Sequence, residues 1–256
     1  MTDLKAIIFD VDGTLAETEE AGHRVAFNQA FAETGLDWHW SVDLYGGLLD
    51  VAGGKERIRY YLQQYQPSLA AKLVAQGQSQ TFVKQLHALK SQHYQQLLQQ
   101  GLPLRTGVRR LLMAAQQAGV RLAIATTSAP QNVTTLLKTA IAPESLTWFE
   151  LVAAGDIVSR KKPAPDIYDY VLNKMAIDPA DCLVIEDSPQ GLAAATQAGL
   201  RTVVTVNSYT RHYQYPQAAL VLDHLGEPDQ LFTAIAGDPG GDRYFTLALA
   251  QRLLRQ

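Results

Sequence analysis

The stretch Ala6-Ile7-Ile8-Phe9-Asp10-Val11-Asp12-Gly13-Thr14-Leu15 places two carboxylates directly after a short apolar run. Four apolar residues are too few for a helix and are typical of a strand that is buried on both faces. Gly13 permits a sharp turn where that strand ends. Because chemistry in open parallel sheets collects at the carboxyl ends of strands, Asp10 and Asp12 form a candidate catalytic pair. One aspartate could attack an electrophile while the other moves a proton.

The composition is that of a globular protein with one sizeable core and an accessory domain. The chain has 256 residues, of which 47% are hydrophobic, enough for such a core. Its 22 basic and 25 acidic residues give a net charge of −3 without a long basic run, which argues against a nucleic-acid or membrane surface. No apolar stretch approaches the roughly 18–20 residues of a membrane span, and the first strand leaves no room for a signal peptide. We therefore expect a cytoplasmic monomer with no nucleic-acid or membrane partner.

Further strand-like runs recur along the chain, and after residue 100 they alternate with helical patterns. The predicted strands are 5–10, 122–125, 149–153, 183–185, 202–206 and a weaker 219–222, and the predicted helices after residue 100 are 108–118, 163–175, 189–198 and 242–255. Such alternation favours a parallel sheet with helices on both faces. The fold class is therefore predicted as α/β.

Residues 16–95 interrupt this alternation, because they contain helical patterns and no convincing strand. The helices are predicted over 19–34, 55–65 and 81–100. A helical block inserted directly after the first strand suggests a cap over the active site, with hinges near 14–18 and 95–103. We predict two domains, a core formed by 1–15 with 96–256 and an α-helical cap formed by 16–95.

The segment after the second predicted strand offers groups that can hold a phosphate. Thr126, Thr127 and Ser128 follow directly after Ala125, and hydroxyl and backbone N–H groups at a strand end can bind phosphoryl oxygens. The alternative is that these residues cap the helix expected after Pro130. On this segment alone, both interpretations stay open.

A candidate cation lies in Lys161-Lys162-Pro163-Ala164-Pro165-Asp166. A lysine fixed just ahead of a helix that starts with proline could neutralise a phosphoryl dianion. The alternative is that these lysines are solvated surface charges, as most lysines are.

Adjacent carboxylates, Glu186 and Asp187, follow the apolar run Leu183-Val184-Ile185. Two neighbouring acids repel each other unless a cation lies between them. Mg2+ prefers oxygen ligands and is commonly held by one or two carboxylates with waters. We therefore predict a Mg2+ site formed by Asp187, the Asp10 carboxylate and the backbone carbonyl of Asp12, to which Glu186 is bound directly or through a water. The alternative is that one of the acids caps the helix expected at Pro189.

Taken together, these segments resemble the haloacid-dehalogenase superfamily, whose first motif is an apolar run followed by Asp-x-Asp-Gly-Thr-Leu. The four motifs occur in the family's order within residues 7–190. The resemblance implies a Rossmann-like core, with Asp10 as the nucleophile that becomes phosphorylated and Asp12 as the general acid and base. It also implies that Thr126 and Lys162 bind the transferred phosphoryl group. Further substrate contacts are expected from residues near these two positions: Thr127, Ser128, Asn132 and Arg160, the last for a second phosphate.

The segment Gly53-Gly54-Lys55-Glu56-Arg57 is the candidate for recognising the rest of the substrate. Gly53 and Gly54 allow a backbone to approach a ligand closely. Amides at a helix N-terminus, together with Lys55 and Arg57, favour a remote phosphate or a cluster of hydroxyls. The alternatives are an ordinary loop, or a phosphonatase in which Lys55 forms a Schiff base.

The same segment resembles the CbbY-type subgroup of sugar-phosphate phosphatases, in which Gly-Gly-Lys-Glu-Arg recurs. The resemblance implies that Glu17 contacts the substrate, and His23 on the first cap helix is expected to face the cleft. The Glu20-Ala21-Gly22-His23 segment is one residue longer than in well-known members, which shifts the register of that helix.

These expectations describe a Mg2+-dependent phosphatase that acts on a small phosphorylated sugar. The subgroup resemblance implies a ketose bisphosphate, such as xylulose 1,5-bisphosphate. A phosphosugar mutase of the β-phosphoglucomutase type shares all four motifs and is the alternative enzyme. An inactive binding module with the same fold is a third hypothesis, against which the presence of every motif residue argues. Dehalogenation is disfavoured, because dehalogenase members lack the aspartate that corresponds to Asp12.

Overall fold

The structure, a computed structural model, describes residues 3–51 and 53–256, and its largest feature is a seven-stranded sheet. The strands are β1 (Ala6–Phe9), β2 (Arg121–Thr126), β3 (Leu151–Ala154), β4 (Cys182–Glu186), β5 (Arg201–Thr205), β6 (Leu220–Leu222) and β7 (Ala234–Ala236). Their order is β3-β2-β1-β4-β5-β6-β7. The pairs from β3 to β6 are parallel, and β7 is antiparallel to β6. The predicted α/β fold is confirmed, whereas β7 escaped prediction because its three exposed residues carry no alternating pattern.

Strand β1 lies inside the sheet, between β2 and β4, and all four of its residues are fully buried. Phe9 is level with Ile124 of β2 and with Ile185 of β4. Because the three strands run parallel and in this register, they end at the same edge of the sheet. The residues that follow Phe9, Ile124 and Ile185 are therefore brought together by topology alone.

The chain divides into two compact units, one formed by Met1–Glu17 with Gly101–Gln256 and the other by Thr18–Gln100. Within its described residues the second unit is helical. A π-helical segment, Glu19–Arg24, leads into α1 (Val25–Glu33), and α2 (Val42–Leu48), α3 (Gly54–Tyr65), α4 (Pro67–Ala75) and α5 (Ser79–Gln100) follow. Its core is aromatic, with the rings of Phe27, Phe31 and Trp40 in mutual contact. Its role as a cap stays a prediction.

The helices of the first unit flank the sheet. They are α6 (Val108–Gln117), α7 (Pro130–Leu136), α8 (Asp166–Met175), α9 (Pro189–Gln197) and α10 (Leu247–Leu254). Helices α8 and α9 pack through Ile167, Val171 and Ala194 against a buried cluster that includes Ile8 and Val184. Burial of such aliphatic side chains stabilises the fold by roughly 1.5–3 kcal/mol per residue.

Two predicted helices start later than the sequence pattern suggested. Helix α8 begins at Asp166 rather than at Pro163, and α10 begins at Leu247 because the hydroxyl of Thr246 accepts a hydrogen bond from the Leu249 N–H at 3.0 Å. Among the helices of 3–51 and 53–256, none combines the length and the apolar character that crossing a membrane requires.

Candidate active site

Lys162 connects the ends of three neighbouring strands. Its Nζ donates hydrogen bonds to Asp10 Oδ1 at 2.8 Å, to the carbonyl of Ala125 at 2.8 Å and to Glu186 Oε1 at 2.5 Å. Burial alone would lower the pKa of Lys162, but the carboxylates of Asp10 and Glu186 outweigh burial and raise that pKa well above its usual value. The lysine is therefore a fixed positive charge at the edge where β1, β2 and β4 end.

Asp10, Glu186 and Asp187 form a buried carboxylate cluster. One carboxylate oxygen from each residue can be chosen so that the three oxygens lie within 4.8 Å of one another. When all three are ionised, they exceed the single charge of Lys162 by two negative charges. Burial raises the pKa of Asp10 to about 7, because Lys162 offsets only part of the penalty and Glu186 adds repulsion. Burial and the neighbouring carboxylates of Asp10 and Glu186 also raise the pKa of Asp187 well above its usual value. The donor set and its excess charge suit a divalent cation.

The Glu186 carboxylate is fully buried and held at both oxygens. Its Oε1 accepts hydrogen bonds from Lys162 and, at 2.7 Å, from the Tyr168 hydroxyl. Its Oε2 accepts from the Asp187 N–H at 3.1 Å. Helix α9 comes so close that a Cβ on Gly191 would lie 1.9 Å from this carboxylate, so glycine is required there. Burial raises the pKa of Tyr168 well above its usual value, so the phenol stays a donor.

The turn after β1 brings Asp12 to the same edge. Gly13 has a φ of 80°, and a Cβ at this position would lie 2.3 Å from Asp187 Oδ2. Only glycine tolerates both the left-handed conformation and this close approach. Asp12 itself is half-buried and forms an isolated β-bridge with Ala16. Both aspartates thus lie at the end of β1, and their separate roles stay predictions.

The residues Thr126, Thr127 and Ser128 lie where β2 ends, at the same edge of the sheet. Thr126 is buried, and its Oγ1 accepts a hydrogen bond from the Ser128 N–H at 3.2 Å. Thr127 is exposed, and Ser128 and Asn132 are half-buried. Residue 129, an alanine, precedes α7 and provides no side-chain cap. The alternative that the hydroxyls cap this helix is therefore wrong.

The geometry also decides which residue caps α9. The residue that caps α9 is Ser188, whose Oγ accepts the Gly191 N–H at 3.0 Å, so neither Glu186 nor Asp187 has that role. Arg160 is exposed, and its guanidinium donates two hydrogen bonds to Asp166 at 3.0 and 2.7 Å. Its contact with a second phosphate stays a prediction.

Arg105 is a buried residue of the site region that the sequence patterns did not indicate. Its Nε lies 2.9 Å from Glu17 Oε1, and the Arg105 side chain is only 6% exposed. The other nitrogens donate to carbonyl groups of four residues on three segments: Gly13, Thr205, Val206 and Asp223. Arg105 therefore links the turn after β1 and the expected substrate contact Glu17 to the ends of β5 and β6.

In the second unit, the expected anion-binding segment surrounds the start of α3. Gly53 precedes the helix, Gly54 is its first residue, and Lys55 is exposed in the first turn. Arg57 is buried instead, and its guanidinium donates to three acceptors of the preceding segment: Leu48 O at 3.0 Å, Tyr45 Oη at 3.1 Å and Val51 O at 3.4 Å. Arg57 thus binds the loop that precedes α3, and its contact with a phosphate stays a prediction.

His23 belongs to a second polar group inside the helical unit. Its Nδ1 lies 2.6 Å from Lys90 Nζ, and its ring stacks on Tyr94 with centroids 3.8 Å apart. Lys90 is buried and also lies over the ring of Phe27. The sequence contained a signal that Lys90 is buried, because it interrupts an apolar stripe at helical spacing, with Leu86 before it and Tyr94 after it.

Comparisons with known proteins agree with this geometry. Residues 4–199 match the haloacid dehalogenase-like hydrolase family. The chain is 45% identical to protein CbbY of Cupriavidus necator over 226 residues, which cover 88% of this chain and 87% of that protein. An aspartate-to-asparagine variant of CbbY from Rhodobacter sphaeroides, solved with xylulose-(1,5)bisphosphate, has a TM-score of 0.72 and 39% identity over 86% of this chain and 94% of that chain. The same CbbY solved with phosphate has a TM-score of 0.72 and 40% identity, with the same coverage.

Proposed function

Since the chain belongs to the haloacid dehalogenase-like hydrolase family and is a phosphoric monoester hydrolase, we propose that it releases phosphate from a small phosphorylated sugar through a phosphorylated Asp10. The observation that carries this proposal is the placement of Asp10 at the end of β1, hydrogen-bonded to Lys162 and two residues ahead of Asp12. A carboxylate in this position is a nucleophile, and a second one can exchange protons with the ester.

In the first half-reaction, an Asp10 carboxylate oxygen attacks phosphorus in line with the ester bond. The bond from phosphorus to the sugar oxygen breaks, and Asp12 gives its proton to that oxygen, so the alcohol leaves neutral. Thr126, at the end of β2, and Lys162 are assigned to the equatorial oxygens of the transferred group. Their placement at the strand ends is the kind of fixed electrostatic stabilisation on which phosphoryl transfer depends.

In the second half-reaction, water attacks the phosphorus of the acyl phosphate. Asp12, now ionised, removes a proton from that water, and the bond between phosphorus and the Asp10 oxygen breaks. Inorganic phosphate leaves and the Asp10 carboxylate is restored. The same residue thus serves as acid in one step and as base in the next.

Mg2+ is the proposed cofactor. Asp10, Glu186, Asp187 and the backbone carbonyl of Asp12 would hold it, which agrees with the buried cluster and its excess negative charge. When bound, the ion screens the repulsion between an anionic phosphate and the anionic Asp10.

Mg2+ is expected to bind at least about tenfold more tightly at pH 8 than at pH 6, because metal ligands must be deprotonated, Asp10 has a pKa of about 7 and the pKa of Asp187 is raised as well. The raised pKa means that folded protein holds the Asp10 proton more tightly than unfolded protein does. In metal-free protein, this group's contribution to the free energy of unfolding is therefore complete below pH 4 or so and is lost as the pH rises through about 7. Titration calorimetry at pH 6, 7 and 8, repeated in buffers of different ionisation enthalpy, measures both the affinity and the protons released. Equal affinities at pH 6 and pH 8 would contradict the expectation.

The proposed substrate class is a ketose bisphosphate, with xylulose 1,5-bisphosphate as the first candidate. Support comes from the Rhodobacter sphaeroides relative solved with that compound. Glu17 and residues of the helical unit, including His23, Gly53, Gly54 and Lys55, are proposed to recognise the sugar and its second phosphate. The cytoplasmic location and the monomeric state stay predictions.

A phosphate-release screen over sugar monophosphates and bisphosphates, with Mg2+ and with a chelator, tests the proposed function. We expect Mg2+-dependent release of inorganic phosphate, fastest with a ketose bisphosphate. The Asp10→Asn protein serves as the inactive control for contaminating phosphatases. Conversion of glucose 1-phosphate into glucose 6-phosphate without phosphate release would instead indicate the mutase reaction and overturn the hydrolytic assignment.

A further inference from the structure

We propose that Asn207 is a positioning residue that fixes the Asp187 carboxylate for metal binding. Asn207 lies two residues beyond β5 and is 6% exposed. Its Nδ2 donates a hydrogen bond of 2.7 Å to Asp187 Oδ2. The inference rests on the proposed Mg2+ site, and it adds a third strand end to a cluster that the sequence motifs had placed on β1 and β4 alone.

The orientation of the Asn207 amide is determined by its surroundings. Its Oδ1 accepts hydrogen bonds from the backbone N–H groups of Tyr209 at 2.9 Å and Thr210 at 3.2 Å. Backbone N–H groups can only donate, so the side-chain oxygen must face the turn and the NH2 group must face Asp187. The Asn207 N–H in addition donates to Thr210 Oγ1 at 3.0 Å, which closes the turn.

The position of this turn is fixed by the chain on either side. The carbonyl groups of Thr205 and Val206, which immediately precede Asn207, both accept hydrogen bonds from Arg105. On the other side, a Cβ on Gly13 would lie 2.7 Å from Asn207 Nδ2. The amide is therefore packed against the turn after β1, next to Asp187, with little room to rotate.

An amide is chemically suited to this task. A neutral donor orients a carboxylate and stabilises its ionised form, yet it adds no positive charge that would compete with a cation. A lysine or arginine in the same position would neutralise Asp187 and weaken its attraction for a metal. Asn207 thus leaves the negative charge of the cluster available, while Lys162 supplies a positive charge in direct contact with Asp10 and Glu186.

The test measures Mg2+ binding to the full-length protein by titration calorimetry, independently of activity. Asn207→Ala is expected to weaken Mg2+ binding about 10- to 100-fold, as loss of a partner that orients a metal ligand does. Asn207→Ser is expected to do the same, because serine can accept from the turn N–H groups but is too short to reach Asp187. Thr210→Val is the matched control, since it removes a bond of the turn and leaves the amide–carboxylate bond in place.

The possible results of this test distinguish failure of the Asn207 inference from failure of the proposed function. Supporting results are weakened Mg2+ binding by both Asn207 variants, an affinity of Thr210→Val within about threefold of wild type, and a higher Mg2+ concentration for half-maximal phosphate release. Wild-type affinity in both Asn207 variants overturns the inference and leaves the proposed function untouched. An equal loss in Thr210→Val overturns it too, because the turn rather than the amide would then be responsible. A wild-type protein that binds no Mg2+ overturns the cofactor assignment together with this inference.

Discussion

Replacing Asp10 with asparagine is expected to lower the kcat/KM for phosphate release by about 10⁴-fold or more, since loss of a covalent nucleophile has effects of this size or larger. The amide that replaces the carboxylate keeps its shape but is a much poorer nucleophile toward phosphorus. The fold should persist, because the substitution removes a charge that is costly to bury. The measurement is the rate of phosphate release at saturating Mg2+, with the melting temperature recorded in parallel.

Asp156→Asn is the matched control for this variant. It makes the same chemical change on the same unit, but the Asp156 side chain is 92% exposed, and its Oδ1 lies 2.6 Å from Lys161 Nζ. We expect its activity to equal that of wild type within a factor of two or so, as for most surface substitutions. Full activity of the Asp10→Asn protein would overturn the mechanism, because no phosphorylated aspartate could then form at this position.

The site residues that could be predicted from the sequence lie in short contiguous segments, directly after apolar strands. The segment Asp10-Val11-Asp12-Gly13 directly follows a buried strand. Because the carboxyl ends of parallel strands form the edge where active sites lie, this segment can be placed at that edge from the sequence alone. The same logic identified Glu186 and Asp187 from the apolar run before them. Topology then brought these ends together, with Phe9 level with Ile185.

The residues that escaped prediction act across long sequence separations. Arg105 contacts Gly13, 92 positions away, and Asp223, 118 positions away, so no local pattern reports its role. Asn207 lies in a surface-like sequence, Asn207-Ser208-Tyr209-Thr210, that is typical of a turn. Its contact with Asp187 exists only because β4 and β5 are neighbours in the sheet.

Arg57 shows that a local pattern leaves open which partners a side chain contacts. A basic residue after two glycines at a helix start is typical of an anion site, yet the Arg57 side chain points into its own unit and donates to Leu48 and Tyr45. The position explains the difference, because Arg57 stands next to Ile58 and one turn before Tyr61, both on the buried face of α3. Lys55, two residues earlier, is exposed and keeps its predicted role as a proposal.

Replacing Arg105 with methionine is expected to lower the free energy of unfolding by about 3–5 kcal/mol, because it removes the buried donor of several backbone carbonyl groups, and an unsatisfied buried polar group costs about 1–3 kcal/mol. The loss leaves Glu17 without its cation and leaves buried carbonyl groups of Gly13, Thr205 and Val206 without this donor. A decrease of this size is a large share of the roughly 5–15 kcal/mol that stabilises a typical domain. Denaturant unfolding monitored by circular dichroism measures it.

The activity of the Arg105→Met protein should fall as well, even under conditions in which this variant is folded. Arg105 fixes the turn that carries Asp12, and small displacements of reacting groups cost about 100-fold in rate, so we expect kcat/KM at 15 °C to fall by about this factor. Arg110→Met is the matched control, because Arg110 also pairs with a glutamate, Glu227, and donates to backbone carbonyl groups, but not to those of the turn after β1. That variant should lose stability and keep its activity at 15 °C. If Arg105→Met were folded and as active as Arg110→Met, the arginine would be a purely structural residue and the proposed link between the β5 end and the catalytic turn would be wrong.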